Sequence, residues 1–360
     1  FMQAYALKKT LESFGCSVEF CDFVDGQKVH LGSKVKKNTY LNKIIKIPEI
    51  IKAPNKYLSK IIFNKKRNKV FTKKTWPILG VDECPNLNYE ADLIIIGSDE
   101  VFNYTQNHAF GYVPELFGHN LSANVLASYA ASAGYTDIVD IVQDDMENEI
   151  RKGLANFTCI SVRDENTKKI IDKYSKHNPE IVLDPTLIYD FTNDYDELEV
   201  LNCIGDYLLI YAYADRLDDD LSIKKIKKYA KSRLLKLVSI GFFHGWCDYN
   251  IVVTPFEMLS VFKKSTAVIT DTFHGTIFSI ITKKKFISYI RQNNVKGSNY
   301  NKLQYLLSQL NLESRIYDER KPLSEQISIE IDYNNVKITL GHLKEKSIAY
   351  LYNIIKYTKK

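Results

Sequence analysis

The chain has 360 residues, 45% apolar and 26% charged, with 49 Lys and Arg against 43 Asp and Glu for a formal net charge of +6. That length and apolar content support a large core and a division into two domains, and no run approaches the roughly 18 apolar residues needed to cross a bilayer. Six cysteines, at 16, 21, 84, 159, 203 and 247, show no CxxC spacing, which points to reduced thiols in a cytoplasmic protein and away from a disulfide framework or zinc site.

The sequence opens on FMQAYALKKTLESFG, a helix already under way, so targeting is not read from it. Ser17 to Phe23 (SVEFCDF) is expected to be the first strand. Residues 33–74 are dominated by Lys with aliphatic residues interleaved. With few aromatic stacking residues and few Arg they do not suit nucleic acid; they read as a solvated amphipathic segment, or as a surface drawn to acidic membranes. Ala91 to Gly97 (ADLIIIG) has the continuous apolar run of a strand covered on both faces. Val125 to Tyr129 is a strand leading into the small residues Ala130 to Gly134. A helix is expected over Asp144 to Phe157, a strand over Thr158 to Val162 and a helix over Glu165 to Tyr174. Ile181 to Leu183 is a short strand closed by Asp184-Pro185, where proline lacks the amide to continue a ladder.

After Asp190 the polar stretch FTNDYDELEVLNCIGD reads as a linker. A second alternating set follows: a strand from Tyr207, a helix from Asp219 to Ser232 and a strand from Leu234 to Gly241. Next come a helix from Pro255 to Lys264 and strands at Ala267 to Thr270 and Lys285 to Tyr289. Helices at Asn301 to Leu310 and Ile331 to Lys360 complete the chain. The alternation predicts an α/β fold of two Rossmann-like doubly wound domains facing a cleft, residues 1–195 and 196–345, with 346–360 as the end of the last helix.

In open α/β sheets ligands bind beyond the carboxyl ends of the strands. Four polar clusters fall at such ends: Gly97-Ser98-Asp99-Glu100, Ser161-Val162-Arg163-Asp164, Asp184-Pro185 and Asp271-Thr272-Phe273-His274-Gly275. Each also has a plain structural reading. Ser98 and Asp99 suit a helix N-cap, Arg163 could pair with Asp164 or Glu165, and His274 could be a satisfied core histidine. His244 is a secondary candidate, read as structural. His30, His108, His119, His177 and His342 sit in no supporting pattern, and no pair has metal-ligand spacing. The GxGxxG, GxxxxGK[ST] and GxSxG signatures are absent.

The ordered motifs FMQAYALKKTLESFG, DLIIIGSDEVFN, SYAASAG, ISVRDENTKKII, VLDPTLI and VVTPFEMLSVFKKSTAVITDTFHGTIFSIITKKKFISY resemble the polysaccharide pyruvyl transferase family over roughly residues 1 to 317. The resemblance implies a GT-B-like fold with phosphoenolpyruvate bound in the interdomain cleft. It implies transfer of the pyruvyl group onto two hydroxyls of one sugar, giving a cyclic ketal and phosphate. It associates Arg163 and His274 with donor binding and catalysis, and Thr272 and Phe273 with the donor site. Two departures stand out: Thr272, where relatives commonly carry serine or another polar residue, and a first strand with a glycine-containing turn that would precede Phe1 and be missing here.

Phosphoenolpyruvate carries about three negative charges at neutral pH. Arg163 suits it as a bidentate fork, and the amides after His274, Gly275 among them, suit it as helix N-terminal donors. His274 is assigned as general acid, because histidine titrates near working pH. Asp99 is assigned as base or hydroxyl ligand for the acceptor, Ser98 and Asn103 orient the sugar, and Asp184 and Asp271 orient the cationic groups. No cofactor or metal is expected. The expected acceptor is a glycan or lipid-linked saccharide of a surface or cell-wall polysaccharide, with the protein cytoplasmic and peripherally associated with the inner face of the membrane. The alternatives are a nucleotide-sugar glycosyltransferase of the same architecture, with Glu257 as a ribose ligand, and a non-catalytic glycan-binding protein.

Overall fold

The computed structural model describes residues 1–30, 54–81, 90–106, 110–214, 216–290 and 300–358. Cys84, His108 and the first part of the Lys-rich stretch lie outside them. Among the described residues two sheets form, both wholly parallel. The first runs in chain order through β1 (Glu90–Ile96), β2 (Ser122–Ala131), β3 (Cys159–Val162) and β4 (Glu180–Ile181). The second comprises β5 (Tyr207–Tyr211), β6 (Lys236–Ile240), β7 (Tyr249–Ile251), β8 (Ala267–Thr270) and β9 (Lys285–Ser288), in the order β7-β6-β5-β8-β9.

The strand sequences account for this. Parallel strands need cover on both faces, and β5 (YLLIY) and β8 (AVIT) are buried along almost their whole length. One apolar cluster, containing Tyr129, Leu209, Val268 and Leu351, reaches from β2 to the second sheet; two others fill the remaining faces. The longer helices are α1 (Met2–Ser13), α2 (Pro54–Val70), α3 (Ile138–Gln143), α4 (Glu147–Leu154), α5 (Glu165–Tyr174), α6 (Asp220–Ser232), α7 (Pro255–Lys264), α8 (Phe273–Ile281), α9 (Tyr300–Gln309), α10 (Leu323–Ser328) and α11 (Tyr333–Tyr357).

Helix α11 returns to the first sheet: Tyr350 Oη donates to the Ser128 carbonyl at 2.9 Å and the Leu183 amide donates to Ser347 Oγ at 3.0 Å. The polar linker holds two short 3₁₀ turns, Phe191–Asn193 and Glu199–Cys203.

Some expectations fail. Ser17–Phe23 joins no sheet, although its residues alternate between exposed and half-buried; the side-chain pattern of a strand is there, but no strand ladder pairs with its backbone among the described residues. The helix expected over Asp144–Phe157 is shorter, Glu147–Leu154, and a separate helix, α3, precedes it, started by the capping box of Asp137 and Asp140. Strand β7 and helices α2, α3 and α10 are additions to the sequence reading.

Candidate active site

The carboxyl ends of the strands carry the polar clusters, as the sequence placed them. Beyond β1, Gly97 has φ +125°, and an added Cβ would come within 2.3 Å of the Tyr129 carbonyl oxygen, so only glycine fits the turn. Asp99 follows with φ +74°, a left-handed backbone that aspartate tolerates better than most residues. Arg163 leaves the end of β3 and Asp184 the coil after β4. On the second sheet the strand order reverses between β5 and β8, whose ends pair at Tyr211 and Thr270. Asp271 to Gly275 therefore lie at a topological switch point, the usual place for a ligand in such sheets.

Four of these groups meet. Arg163 Nη1 donates to Asp184 Oδ2 at 2.7 Å and Nη2 to Asp99 Oδ1 at 3.0 Å. His274 Nε2 lies 3.8 Å from the same Asp184 oxygen, too long for a hydrogen bond. The Arg163 guanidinium sits 4.6 Å from the centre of the Phe273 ring. Asp184 is further held by Gln3 of α1, whose Nε2 donates at 2.6 Å, and by the amide and hydroxyl of Thr186.

The electrostatics follow from these contacts. Burial works against ionised Asp184, but His274, Arg163 and Thr186 outweigh it and hold its carboxyl well below the ordinary range. For Asp99 desolvation is likewise overcome, by Arg163 first and then His274 and Lys302, and the carboxyl is lowered to about 2. Burial opposes the charge of Arg163 too, and the two carboxylates more than offset it. The Nε atom of Arg163 and Nε2 of His274 are buried without a hydrogen-bond partner among the described residues.

Helix α8 begins at this point because Thr272 caps it, accepting the Gly275 amide at 2.8 Å. Thr276 N bonds back to the Thr272 carbonyl. The cap consumes the Gly275 amide, leaving those of Phe273 and His274 as the orphan donors of the first turn.

The Polysaccharide pyruvyl transferase family model matches residues 1–293. The chain belongs to the polysaccharide pyruvyl transferase family. No curated protein matches it. Solved structures that resemble it include the UDP-GlcNAc 2-epimerase of Methanocaldococcus jannaschii in complex with UDP-GlcNAc and UDP, at 12% identity and TM-score 0.45, covering 79% of this chain and 87% of that one. Another is the UDP-GlcNAc 2-epimerase of Neisseria meningitidis bound to UDP-GlcNAc, at 8% identity and TM-score 0.42, covering 83% and 97%. At these scores the likeness says nothing of this chain's chemistry.

Within the family match, Asp99, Arg163, Asp184, Phe273 and His274 come together as the sequence grouped them. Ser98 is half-buried beside Asp99. Asp271 is placed differently: it accepts the Tyr213 amide at 3.0 Å and faces Arg216, whose Nε is 3.7 Å from Asp271 Oδ2. Asn103 does not reach the cleft. It is fully buried, its amide donates to Glu100 at 2.6 Å, and its carbonyl accepts from Thr105 and Thr136. Any influence on an acceptor would pass through Glu100. Glu257 is spent in the capping box of α7, accepting the Thr254 amide at 2.7 Å, and His244 is buried with Nε2 2.9 Å from the Ala212 carbonyl.

Three residues around the cleft carried no sequence signal. Lys302 of α9, beyond the matched residues, is buried and ion-paired to Glu100, and it lines a pocket with Arg163, Asp184, Phe273 and Tyr305. Arg216 lies over Tyr213, 4.2 Å from its ring centre. Burial pushes the Tyr213 phenol up; nearby Asp99, Asp271 and Glu100 act the same way, while Arg216 acts against them. Among the described residues no group of three or more His, Cys, Asp or Glu could hold a metal ion.

Proposed function

We propose that the protein transfers the pyruvyl group of phosphoenolpyruvate to two hydroxyls of one sugar in a surface or cell-wall polysaccharide or its precursor, forming a cyclic ketal. The observation that carries this reading is the meeting of Arg163, Asp184 and His274 at the switch-point cleft of a chain belonging to the pyruvyl transferase family.

In this reading His274 delivers a proton to the methylene carbon of the donor, making C2 electrophilic. The first hydroxyl then bonds to C2 and its proton passes to the His274 imidazole, replacing the one that side chain gave to the methylene carbon. The second hydroxyl bonds to the same carbon as the C2–O bond to phosphate breaks, and its proton leaves with the phosphate. Asp184 orients the Arg163 fork and faces the His274 ring, so one buried carboxylate sets both donor-side groups. The Phe273 and His274 amides and Arg216 complement the anion, with Thr272 and Gly275 shaping the turn that presents those amides. A carboxyl lowered to about 2, as in Asp99, is a weak proton acceptor near neutral pH. Asp99, with Ser98 beside it, therefore serves as ligand to the acceptor hydroxyl, and the departing phosphate is the available proton sink. The reading assigns residues 1–195 to the acceptor side and 196–345 to most of the donor side, uses no cofactor or metal, and places the enzyme in the cytoplasm with a glycan or lipid-linked acceptor.

The test measures phosphate release from phosphoenolpyruvate with candidate acceptors, alongside thermal unfolding with phosphoenolpyruvate or nucleotides. A ligand that binds only the folded state raises the unfolding temperature. Stabilisation by phosphoenolpyruvate and not by UDP is the expected result; stabilisation by UDP alone would overturn the reading.

A further inference from the structure

Helix α2 and the turns that continue it, Phe71–Thr75 and Trp76–Leu79, hold eight cations and no acid: Lys56, Lys60, Lys65, Lys66, Arg67, Lys69, Lys73 and Lys74. Only Phe63, Thr75 and Leu79 are buried among residues 55–80. One helical line, Lys56, Lys60, Phe63 and Arg67, meets the rest of the protein. Lys56 packs against Gly245, Phe63 against Phe243 with ring centres 5.8 Å apart, and Arg67 Nη1 donates to the Gly241 carbonyl at 2.9 Å. The opposite line, at the same 3.6-residue period, is Leu58, Ile62, Lys65 and Lys69. Leu58 is 56% exposed and Ile62 57%, and Ile61, Phe71, Trp76 and Ile78 are exposed as well.

A helix attached by one edge, with large apolar side chains and lysines together on its outer side, has the chemistry of a surface-lying membrane helix. Apolar groups enter the headgroup boundary while lysine stems lie along them and keep their ammonium heads at the phosphates. We propose that residues 54–79 dock the protein on an anionic lipid membrane. Charge complementarity selects that partner: each basic residue near an anionic leaflet adds attraction, and no carboxylate within the segment opposes it. The exposed Leu58, Ile62 and Trp76 favour lipid over nucleic acid, which would reward the lysines but leave these apolar groups wet. The docked helix adjoins the cleft, because Phe242, beside its Gly241 contact, packs on Tyr213 with ring centres 4.9 Å apart. This surface goes beyond the pyruvyl transfer reading and stands whether or not the cleft carries that chemistry.

The test is sedimentation of the full chain with vesicles of phosphatidylcholine alone or with about 30 mol% phosphatidylglycerol. Binding only to the anionic vesicles, lost at high salt, is expected. Replacing Lys65, Lys66 and Lys69 together with Gln should weaken it about 100-fold, and Leu58→Ser with Ile62→Ser should also weaken it, both with unchanged unfolding temperature. No binding by the wild type, equal binding to both vesicle types, or tighter binding to duplex RNA than to anionic vesicles would overturn the proposal. So would a solution dimer that Leu58→Asp dissociates, since a second copy would then cover this face.

Discussion

Arg163 and Asp184 form a buried ion pair, Nη1 to Oδ2 at 2.7 Å, with both side chains almost wholly out of solvent. A second carboxylate, Asp99, takes Nη2. The arginine is therefore already neutralised before any anionic donor arrives, and its main work is to fix the position of the two acids and the Phe273 ring.

Removing one member of such a pair leaves an uncompensated buried charge, which costs about 3–5 kcal/mol. Asp184→Asn should therefore destabilise the protein by about 3 kcal/mol in urea unfolding at pH 7, and should weaken either the Gln3 or the Thr186 contacts, because an amide keeps only one acceptor oxygen. A loss below about 1 kcal/mol would show that the pair is solvated and worth no more than a surface bridge.

His274 behaves differently, because its Nε2 has no hydrogen-bond partner among the described residues. His274→Gln should leave the circular dichroism spectrum and unfolding temperature nearly unchanged while lowering phosphate release by about 10²- to 10⁴-fold, the usual worth of an acid–base group. Wild-type turnover in the variant would remove His274 from the mechanism.

The contrast between these two residues marks what the sequence could reveal. Arg163, Asp184 and the Asp271–Gly275 turn each stand directly beyond an apolar run that reads as a buried strand, so the strand-end rule located them without coordinates. Lys302 and Arg216 stand in the first turn of a helix and in a loop, where nothing local distinguishes a lysine or arginine of a cleft from one in solvent. Asn103 misled for the opposite reason: it lies five residues after Ser98 in a polar cluster, but the chain tucks it beneath Glu100, a long-range outcome set by Thr105 and Thr136. Ser17–Phe23 shows the same limit for strands, since alternation specifies which side chains pack and not whether the backbone joins one of the described sheets.

Gly275 provides a test of the turn itself. An added Cβ would stand 2.1 Å from Thr270 Oγ1 and 2.7 Å from both Thr272 Oγ1 and Tyr211 Cδ1. Gly275→Ala should cost about 1–3 kcal/mol through overpacking and also weaken donor binding, because the cap that aims the Phe273 and His274 amides would shift. An alanine variant as stable as the wild type would mean that the turn is free to open.

The pH dependence of stability has a defined sign. Asp99 and Asp184 are both held below the ordinary value of 3.8. A carboxyl depressed by folding contributes stability above its unfolded pKa and loses it as pH falls through the folded one. Stability from this pair should be complete above about pH 5 and decline below about pH 4. Most of the decline belongs to Asp184, because the Asp99 side chain is 54% exposed and solvent screens its share. Urea midpoints from pH 6 to pH 3 should fall less steeply in Asp184→Asn than in the wild type; equal slopes would assign the acid sensitivity to other carboxylates.

Arg216 should decide donor affinity. Both Nη atoms of Arg163 are held by carboxylates and Lys302 is paired with Glu100. Arg216 is a quarter exposed, stacks on Tyr213, and approaches its nearest ion-pair partner among the described residues, Asp271, only to 3.7 Å. Its fork thus keeps donors for a phosphate or carboxylate at the switch point, where charge-assisted bidentate contacts are strongest. Arg216→Gln should raise KM for phosphoenolpyruvate about tenfold or more with a smaller change in kcat, the signature of binding lost equally from ground and transition states. Its unfolding temperature should match the wild type, since the ion pair it loses is long and partly solvated. An unchanged KM would place the donor nearer Lys302, in the pocket between Tyr305 and Arg163, and Lys302→Met would then carry the larger effect.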